Sequence, residues 1–312
     1  MPKPVFFISG ATGATGGAAA KQLLEKGERV RAFVHREDER SQALRTAGAE
    51  VVVGDLLDFE AVREAVNGTH RAYFVYPIRP GLIQATVQFA QAAKEAGIEG
   101  VVNMSQISAR EDAKSHSAQE HWLAERVLDW SGLTVAHIRP TYFAEWLLYL
   151  ARMVRQGAIY APFTTGRHAP IAGEDQGRVI VSILQDPASH QGQIYPLYGP
   201  VEMTYPQIAQ AVGKALGRDI AYQSLSVDQW AEIVSTAKAG GPARNDAGSL
   251  YAEADRLTGR PGSAFLVQHL REVAIDHTNG VFAGTNDLVE RIGGQPPMTV
   301  EAFVEKHRDA FV

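Results

Sequence analysis

Three glycines spaced three apart, Gly10, Gly13 and Gly16, follow the apolar run Val5-Phe6-Phe7-Ile8 and precede the small-residue stretch Gly17-Ala18-Ala19-Ala20. A glycine turn leading from a buried strand into a helix makes a cradle for phosphate. Gly10 allows the tight turn out of the strand. Gly13 keeps a Cβ away from an approaching pyrophosphate, and Gly16 lets the helix lie close to the sheet. The free N–H groups and the positive end of that helix then face the phosphates. The chemistry expected is dinucleotide binding. About 20 residues on, where an acid would accept the ribose 2′-OH, the chain carries Arg36. A guanidinium there pairs with a 2′-phosphate and stacks on adenine, so NADP is expected over NAD, although Glu37, Asp38 and Glu39 adjoin it.

The elements that must hold these groups follow in order. The first helix is expected over Ala18 to Lys26 and strand two over Arg29 to Val34. A helix from Glu39 to Ala47 leads to strand three, Glu50 to Asp55, and a helix from Asp58 to Val66 leads to strand four, Arg71 to Pro77. The amphipathic helix Leu82 to Ala96, closed by Gly97, precedes strand five, Gly100 to Ser105. A helix over Ser115 to Trp130, with the capping-box pattern Ser117-x-x-Glu120, precedes strand six, Leu133 to Pro140. Strands alternating with helices through short loops mean a parallel sheet wound in both directions. Ligands bind such sheets at the carboxyl ends of the strands, where strand order reverses. Gly10, Arg36, Asp55, Tyr76 and Ser105 all fall at those ends, with Tyr76 and Pro77 expected near the nicotinamide ribose.

The fold class expected is α/β, a Rossmann-type doubly wound parallel sheet with a smaller C-terminal α+β substrate domain. Residues 1–140 form the NADP-binding part, 170–200 return to it, and 141–312 mainly bind substrate. In the second half we expect a helix over Asp175 to Gln185, a strand over Gly192 to Leu197, a helix over Tyr205 to Leu216 and a strand over Tyr222 to Leu225. Leu257 to Ala283 reads as mostly helical and Val300 to Phe311 as one terminal helix. The Gly/Ala-rich segment Ala237 to Gly248 reads as a loop or lid. Tyr142, Phe143, Trp146 and Phe163 could wall a flat substrate, core packing being the alternative for at least half of them. His168 and His190 are expected to be exposed in loops.

The composition narrows the function classes. The chain has 312 residues, a net charge of −5 and no cysteine, which excludes disulfides and thiolate catalysis. No basic patch suggests nucleic acid, no stretch is long enough to be a signal or membrane span, and a cytoplasmic protein is expected. His-Glu-x-x-His is absent, His116 and His121 are five apart and so do not share a helix face, and no metal is expected. Without Gly-x-Ser-x-Gly, the commonest hydrolase reading falls away.

Gly10-Ala-Thr-Gly13-Ala-Thr-Gly16, Arg36, Gly54-Asp55, and Ser131-Gly132-Leu133 followed by Ile138-Arg139-Pro140 together resemble the NmrA-like group of atypical short-chain dehydrogenase/reductases. Gly192-Gln-Ile-Tyr-Pro-Leu-Tyr-Gly199-Pro200 and Pro296-Pro297-Met-Thr-Val-Glu-Ala-Phe303 extend the similarity over nearly the whole chain. That group includes NADP-dependent reductases of quinones, azo compounds and triphenylmethane dyes, and regulators that bind NAD(P) without chemistry. The resemblance implies that Gly10, Thr12, Gly13, Thr15, Gly16, Arg36, Asp55, Leu56, Tyr76, Pro77, Tyr142 and Phe143 line the cofactor, with Asp55 accepting from the adenine amino group.

The wider superfamily uses Tyr-x-x-x-Lys on the helix after strand five. Here Ser117 and His121 stand at those two places, so simple alcohol/ketone chemistry, which needs a tuned tyrosine, is not expected. A conjugated acceptor spreads the incoming charge and mainly needs alignment with the hydride donor. A proton then comes from water or a histidine, His121 first and His116 second. His121 could instead bond the nicotinamide ribose in place of the lysine, or be an exposed residue paired with Glu125. Three functions stay open: a reductase of a small aromatic substrate, a redox sensor reporting NADP(H) to a protein partner, and a reductase or isomerase of a larger aromatic metabolite.

Overall fold

The computed structural model describes residues 3–236 and 264–312; the segment Ala237 to Gly248 lies outside them, as does the start of the stretch from Leu257. Seven strands form one parallel sheet: β1 (Val5–Ser9), β2 (Arg29–Val34), β3 (Glu50–Val53), β4 (Arg71–Phe74), β5 (Gly100–Met104), β6 (Val135–Pro140) and, after one further strand, β8 (Ile194–Leu197). Their order is β3-β2-β1-β4-β5-β6-β8. The first three strands wind one way and the rest the other, so a crevice opens between the carboxyl ends of β1 and β4. The helices α1 (Ala14–Glu25), α2 (Glu39–Thr46), α3 (Phe59–Val66), α4 (Leu82–Glu95) and α5 (His116–Trp130) are the crossovers. The strands are apolar on both faces because helices cover both. Phe6 and Ile8 pack into one core, and Phe7, Phe74 and Phe89 into the other. Each fully buried side chain of that size contributes roughly 1.5–3 kcal/mol.

Beside shifts of one to three residues at several strand ends, four features differ from the sequence expectation for physical reasons. The first helix starts at Ala14, with Gly13 as its N-cap. Thr15, Gly16 and Gly17 are poor helix formers, but packing draws them in, since a Cβ on Gly16 would lie 2.4 Å from the Gly10 carbonyl oxygen. The cap of α5 is Ser115, whose side chain accepts from the Ala118 N–H, and not Ser117. An additional strand β7 (Ala158–Ala161) pairs in parallel with β9 (Ala221–Ser224); between Gly157 and Pro162 it is too short to announce itself. The terminal helix is broken at His307 into Val300–Lys306 and Arg308–Phe311.

The chain leaves the sheet after β6 through the short helices α6 (Trp146–Tyr149) and α7 (Ala151–Arg155), and comes back with α8 (Gly173–Gln185) and β8. Pro196 fits in β8 because that strand is an edge, bonded on one side to β6 alone. Helix α8 lies tight on α1: a Cβ on Gly177 would sit 2.8 Å from that of Ala18. A separate core gathers α9 (Tyr205–Leu216), the helix Ala264–Thr278 and the terminal helices. Among the described residues no helix is long and apolar enough to cross a membrane, and no group of three or more His, Asp or Glu could hold a metal ion.

Candidate functional site

A cavity of about 360 Å³ fills the crevice at the strand-order reversal. One wall is the glycine turn. Gly10 has φ +55, and a Cβ there would lie 2.7 Å from Val75 Cγ1. The Gly13 N–H donates to the Gly10 carbonyl at 2.8 Å. Thr12, Gly13, Ala14 and Thr15 face the space, and Gly16 lies behind them against the sheet. Helix α1 begins with no side-chain cap and no acid in its first turn. Its orphan N–H groups and positive end are therefore left for an anion.

One end of the cavity holds His35, Asp55, Leu56, Tyr76, Pro77 and Arg79. Asp58, not Asp55, caps α3. Asp55 accepts from the Leu57 N–H at 2.9 Å and pairs with Arg79 at 3.5 Å. The Arg79 guanidinium lies 5.0 Å from the centre of the Tyr76 ring, and its Nε donates to the Tyr76 hydroxyl at 3.0 Å. Arg36 is not on the wall. It is half-buried beside it, with its guanidinium 3.9 Å from the Asp38 carboxylate. Arg40 reaches the glycine turn, donating to the Thr12 carbonyl at 3.2 Å.

The other end is lined by Ser105, Gln106, His121, Tyr142, Phe143, Trp146 and His269. Ser105 Oγ is buried and has no hydrogen-bond partner among the described residues. His121 is buried, 4% exposed, so it is not the exposed residue that a pairing with Glu125 implied. Glu125 instead holds Arg139 with both carboxylate oxygens. Burial pushes the His121 pKa down, so the ring is neutral at pH 7. Its Nδ1 lies 2.7 Å from the Ser117 carbonyl oxygen. His116 is exposed on the first turn of α5, against Phe265, and does not reach the cavity. Phe163 stands behind Tyr142, ring centres 5.4 Å apart, stacked on Tyr205. His168 is not an exposed loop residue: it is 2% exposed and bonds His277 at 2.9 Å. His190 is half-buried and bonds the Tyr195 hydroxyl.

A dinucleotide fits these residues: an uncapped helix end at the middle, a cationic and aromatic end, and an unpartnered hydroxyl at the far end. The family model for the NmrA-like family matches residues 2–251. The chain belongs to the NmrA-like family. Among its relatives, the NAD(P)H azoreductase of Xenophilus azovorans is 26% identical over 310 residues, covering 98% of this chain and 99% of that protein. The fold is that of the NADPH-dependent quinone oxidoreductase QOR2 of Escherichia coli complexed with NADPH, at TM-score 0.77, 22% identity and coverage of 97% and 99%. It is equally that of the Citrobacter sp. triphenylmethane reductase complexed with NADP(H), at TM-score 0.76, 18% identity and coverage of 98% and 99%.

Several residues of this NmrA-like cavity escaped sequence reading, Gln106, Arg79 and His269 among them. Gln106 and Arg79 sit two and five residues past the ends of β5 and β4, where only the local turn decides what faces inward. His269 reaches the cavity from the helix Ala264–Thr278. Its one signal is a polar pair, Gln268-His269, set between Ala264-Phe265-Leu266-Val267 and Leu270.

Proposed function

We propose that this chain binds NADP(H) in the cavity and reduces a conjugated aromatic acceptor: a quinone, an azo compound or a dye-like cation. The observation that carries the reading is one continuous space that joins an uncapped helix N-terminus to an apolar aromatic end, with Ser117 and His121 where a Tyr/Lys pair would stand. When bound, NADPH supplies the hydride. The α1 N-terminus holds the pyrophosphate, and Asp55 with Leu56 meets the adenine. Tyr142, Phe143 and Trp146 align a flat acceptor by stacking against it. His121, neutral and fixed through Nδ1, offers Nε2 as an acceptor to a nicotinamide ribose hydroxyl, the part the missing lysine plays by donation. Water supplies the proton. The relatives named for azo, quinone and triphenylmethane reduction support this class of acceptor.

The test is calorimetric titration with NADPH and NADH, followed by NADPH consumption with 1,4-benzoquinone and methyl red. Tight binding with consumption is expected. Tight binding with no consumption would transfer the reading to a redox sensor. His121→Ala is expected to weaken NADPH about tenfold, the loss of one hydrogen bond at a buried site; an unchanged dissociation constant would remove the ribose role.

For the 2′-phosphate we propose Arg36, half-buried beside the cavity wall, with Arg40 next to it over the glycine turn. Arg36→Ala is expected to raise the NADPH dissociation constant about tenfold and to leave that for NADH within about twofold, since charge-assisted bonds to phosphate are the stronger kind. Equal losses for the two cofactors would argue against this role.

A further inference from the structure

Two histidines from distant parts of the chain meet at the aromatic end of the cavity, His121 on α5 and His269 on the helix Ala264–Thr278. Both are nearly buried, at 4% and 6% exposure. Their hydrogen bonds fix opposite tautomers. His121 Nδ1 lies 2.7 Å from the Ser117 carbonyl oxygen, and a carbonyl only accepts, so Nδ1 carries the hydrogen and Nε2 is a bare lone pair. The Gln106 side-chain amide, 2.9 Å from the same nitrogen, can exchange its nitrogen and oxygen by a half-turn; the carbonyl cannot change its role. His269 Nδ1 lies 2.7 Å from Ser115 Oγ. That oxygen accepts the Ala118 N–H as the cap of α5, and Ser115 is fully buried; among the described residues His269 Nδ1 is the one acceptor its own hydrogen meets, and the other tautomer would leave that buried hydrogen unsatisfied. Nε2 of His269 is then the protonated nitrogen. Neither Nε2 has a hydrogen-bond partner among the described residues.

We propose that His269 is a catalytic residue on the acceptor side of the cavity, presenting Nε2–H to the oxygen or nitrogen atom on which charge develops, while His121 beside it serves the ribose as acceptor. This rests on the reductase reading above. The step balances with a quinone. Hydride adds to the quinone, its two electrons leave NADPH as NADP⁺, and the product is a hydroquinone monoanion. His269 stabilises the developing oxyanion with a hydrogen bond and keeps its proton. The monoanion then takes one proton from water. The N-cap that positions Ser115 also sets the donor, so the bond is in place before charge appears and costs no reorganisation then. A single donor of this kind supplies the stabilisation that a tyrosine hydroxyl would give to an alkoxide, without having to give up its proton.

The experiment uses the full chain with NADPH and 1,4-benzoquinone, and compares His269→Phe, which keeps a flat ring without a donor, with His269→Gln, which restores an N–H. His269→Phe is expected to lower kcat at least tenfold with the NADPH dissociation constant within about twofold of wild type, and His269→Gln to recover most of the loss. A second readout needs no turnover: long-range ¹H–¹⁵N correlation spectra of histidine-labelled protein should show His269 protonated at Nε2 and His121 at Nδ1. Turnover of His269→Phe within twofold of wild type, or His269 protonated at Nδ1, overturns the proposal. Wild-type protein that binds NADPH but consumes none with benzoquinone or methyl red overturns the reductase reading and the role of His269 with it. The two failures are separate, because only in the first is the wild type active.

Discussion

Gly13→Val is expected to abolish useful NADPH affinity, by at least 100-fold, in a protein that melts within about 2 °C of wild type. The backbone tolerates the change. Gly13 has φ −86 and ψ 176, an extended conformation open to any residue, and it contributes no side-chain cap to lose. A Cβ there meets only the Gly10 carbonyl oxygen, at 3.2 Å. The two methyl groups beyond it then stand in the cavity, over the orphan N–H groups of α1. A pyrophosphate kept from those groups loses several charge-assisted hydrogen bonds together, and a 100-fold loss is about 2.7 kcal/mol. Gly16→Val is the contrasting variant: its Cβ would lie 2.4 Å from the Gly10 carbonyl, against backbone that cannot yield, and should lower the melting temperature itself. Calorimetric titration and a thermal melt on each variant separate the two glycines. Unchanged NADPH affinity in Gly13→Val would refute the phosphate site.

Acid should destabilise this protein early, before its carboxylates are titrated. Burial pushes His277 down to about 4 and His269 down to about 3, the latter helped by neighbouring His121, and pushes His168 and His121 down as well. A histidine whose folded pKa lies below its unfolded 6.5 binds more protons unfolded. Its stabilising share is complete above pH 6.5 and drains away as pH falls towards the folded pKa. At about 1.4 kcal/mol per unit, His277 alone accounts for about 3 kcal/mol by pH 4. Glu145 runs the other way. Burial raises it to about 7, so its contribution is present at low pH and lost as pH rises through 7. Glu120 and Asp175, also raised by burial, act in the same sense as Glu145, but the buried histidines carry the larger shifts, so the net effect of acid is a loss of stability that a marginally stable domain feels. Urea midpoints measured from pH 7.5 to 4.5 should fall steadily below pH 6.5, and less steeply in His277→Phe. A flat profile would mean that the histidines open to water without unfolding the chain.

Much of the nucleotide half was legible because its signals are local. Gly10, Gly13 and Gly16 are read from a spacing of three, and β1 to β6 from short apolar runs between helices whose ends carry their own caps. Asp58, at the expected start of its helix, caps α3. Strand-order reversal then brings Thr12, Asp55, Tyr76, Ser105 and Tyr142 to one cavity without further assumption. The illegible parts depend on contacts across the chain. The sequence leaves His121 open between facing the site and lying exposed beside Glu125; it is buried because the helix Ala264–Thr278 lies along α5, with Ser115 and His269 bonded between them. His168 looks like a loop residue until His277 is brought against it. Arg36 has the right type at the right distance, yet the turn after β2 puts His35 on the wall. Side-chain direction at a strand end follows the turn, and one residue of register exchanges the face.

The return of the chain to its first sheet has a consequence for how the protein is made. Strand β8 lies far downstream of β6, and α8 packs on α1 through Gly177. As the chain emerges from the ribosome, everything up to Pro140 is available while the outer side of β6, a Val-Ala-His-Ile edge, has nothing to bond. Such an edge invites pairing with another nascent chain. The strand that closes it and the helix that covers α1 arrive only after α6, α7 and β7 have been synthesised. Translation speed and chaperone occupancy over that interval therefore bear on the yield of native protein, and an N-terminal fragment cut at the end of β6 inherits the bare edge permanently.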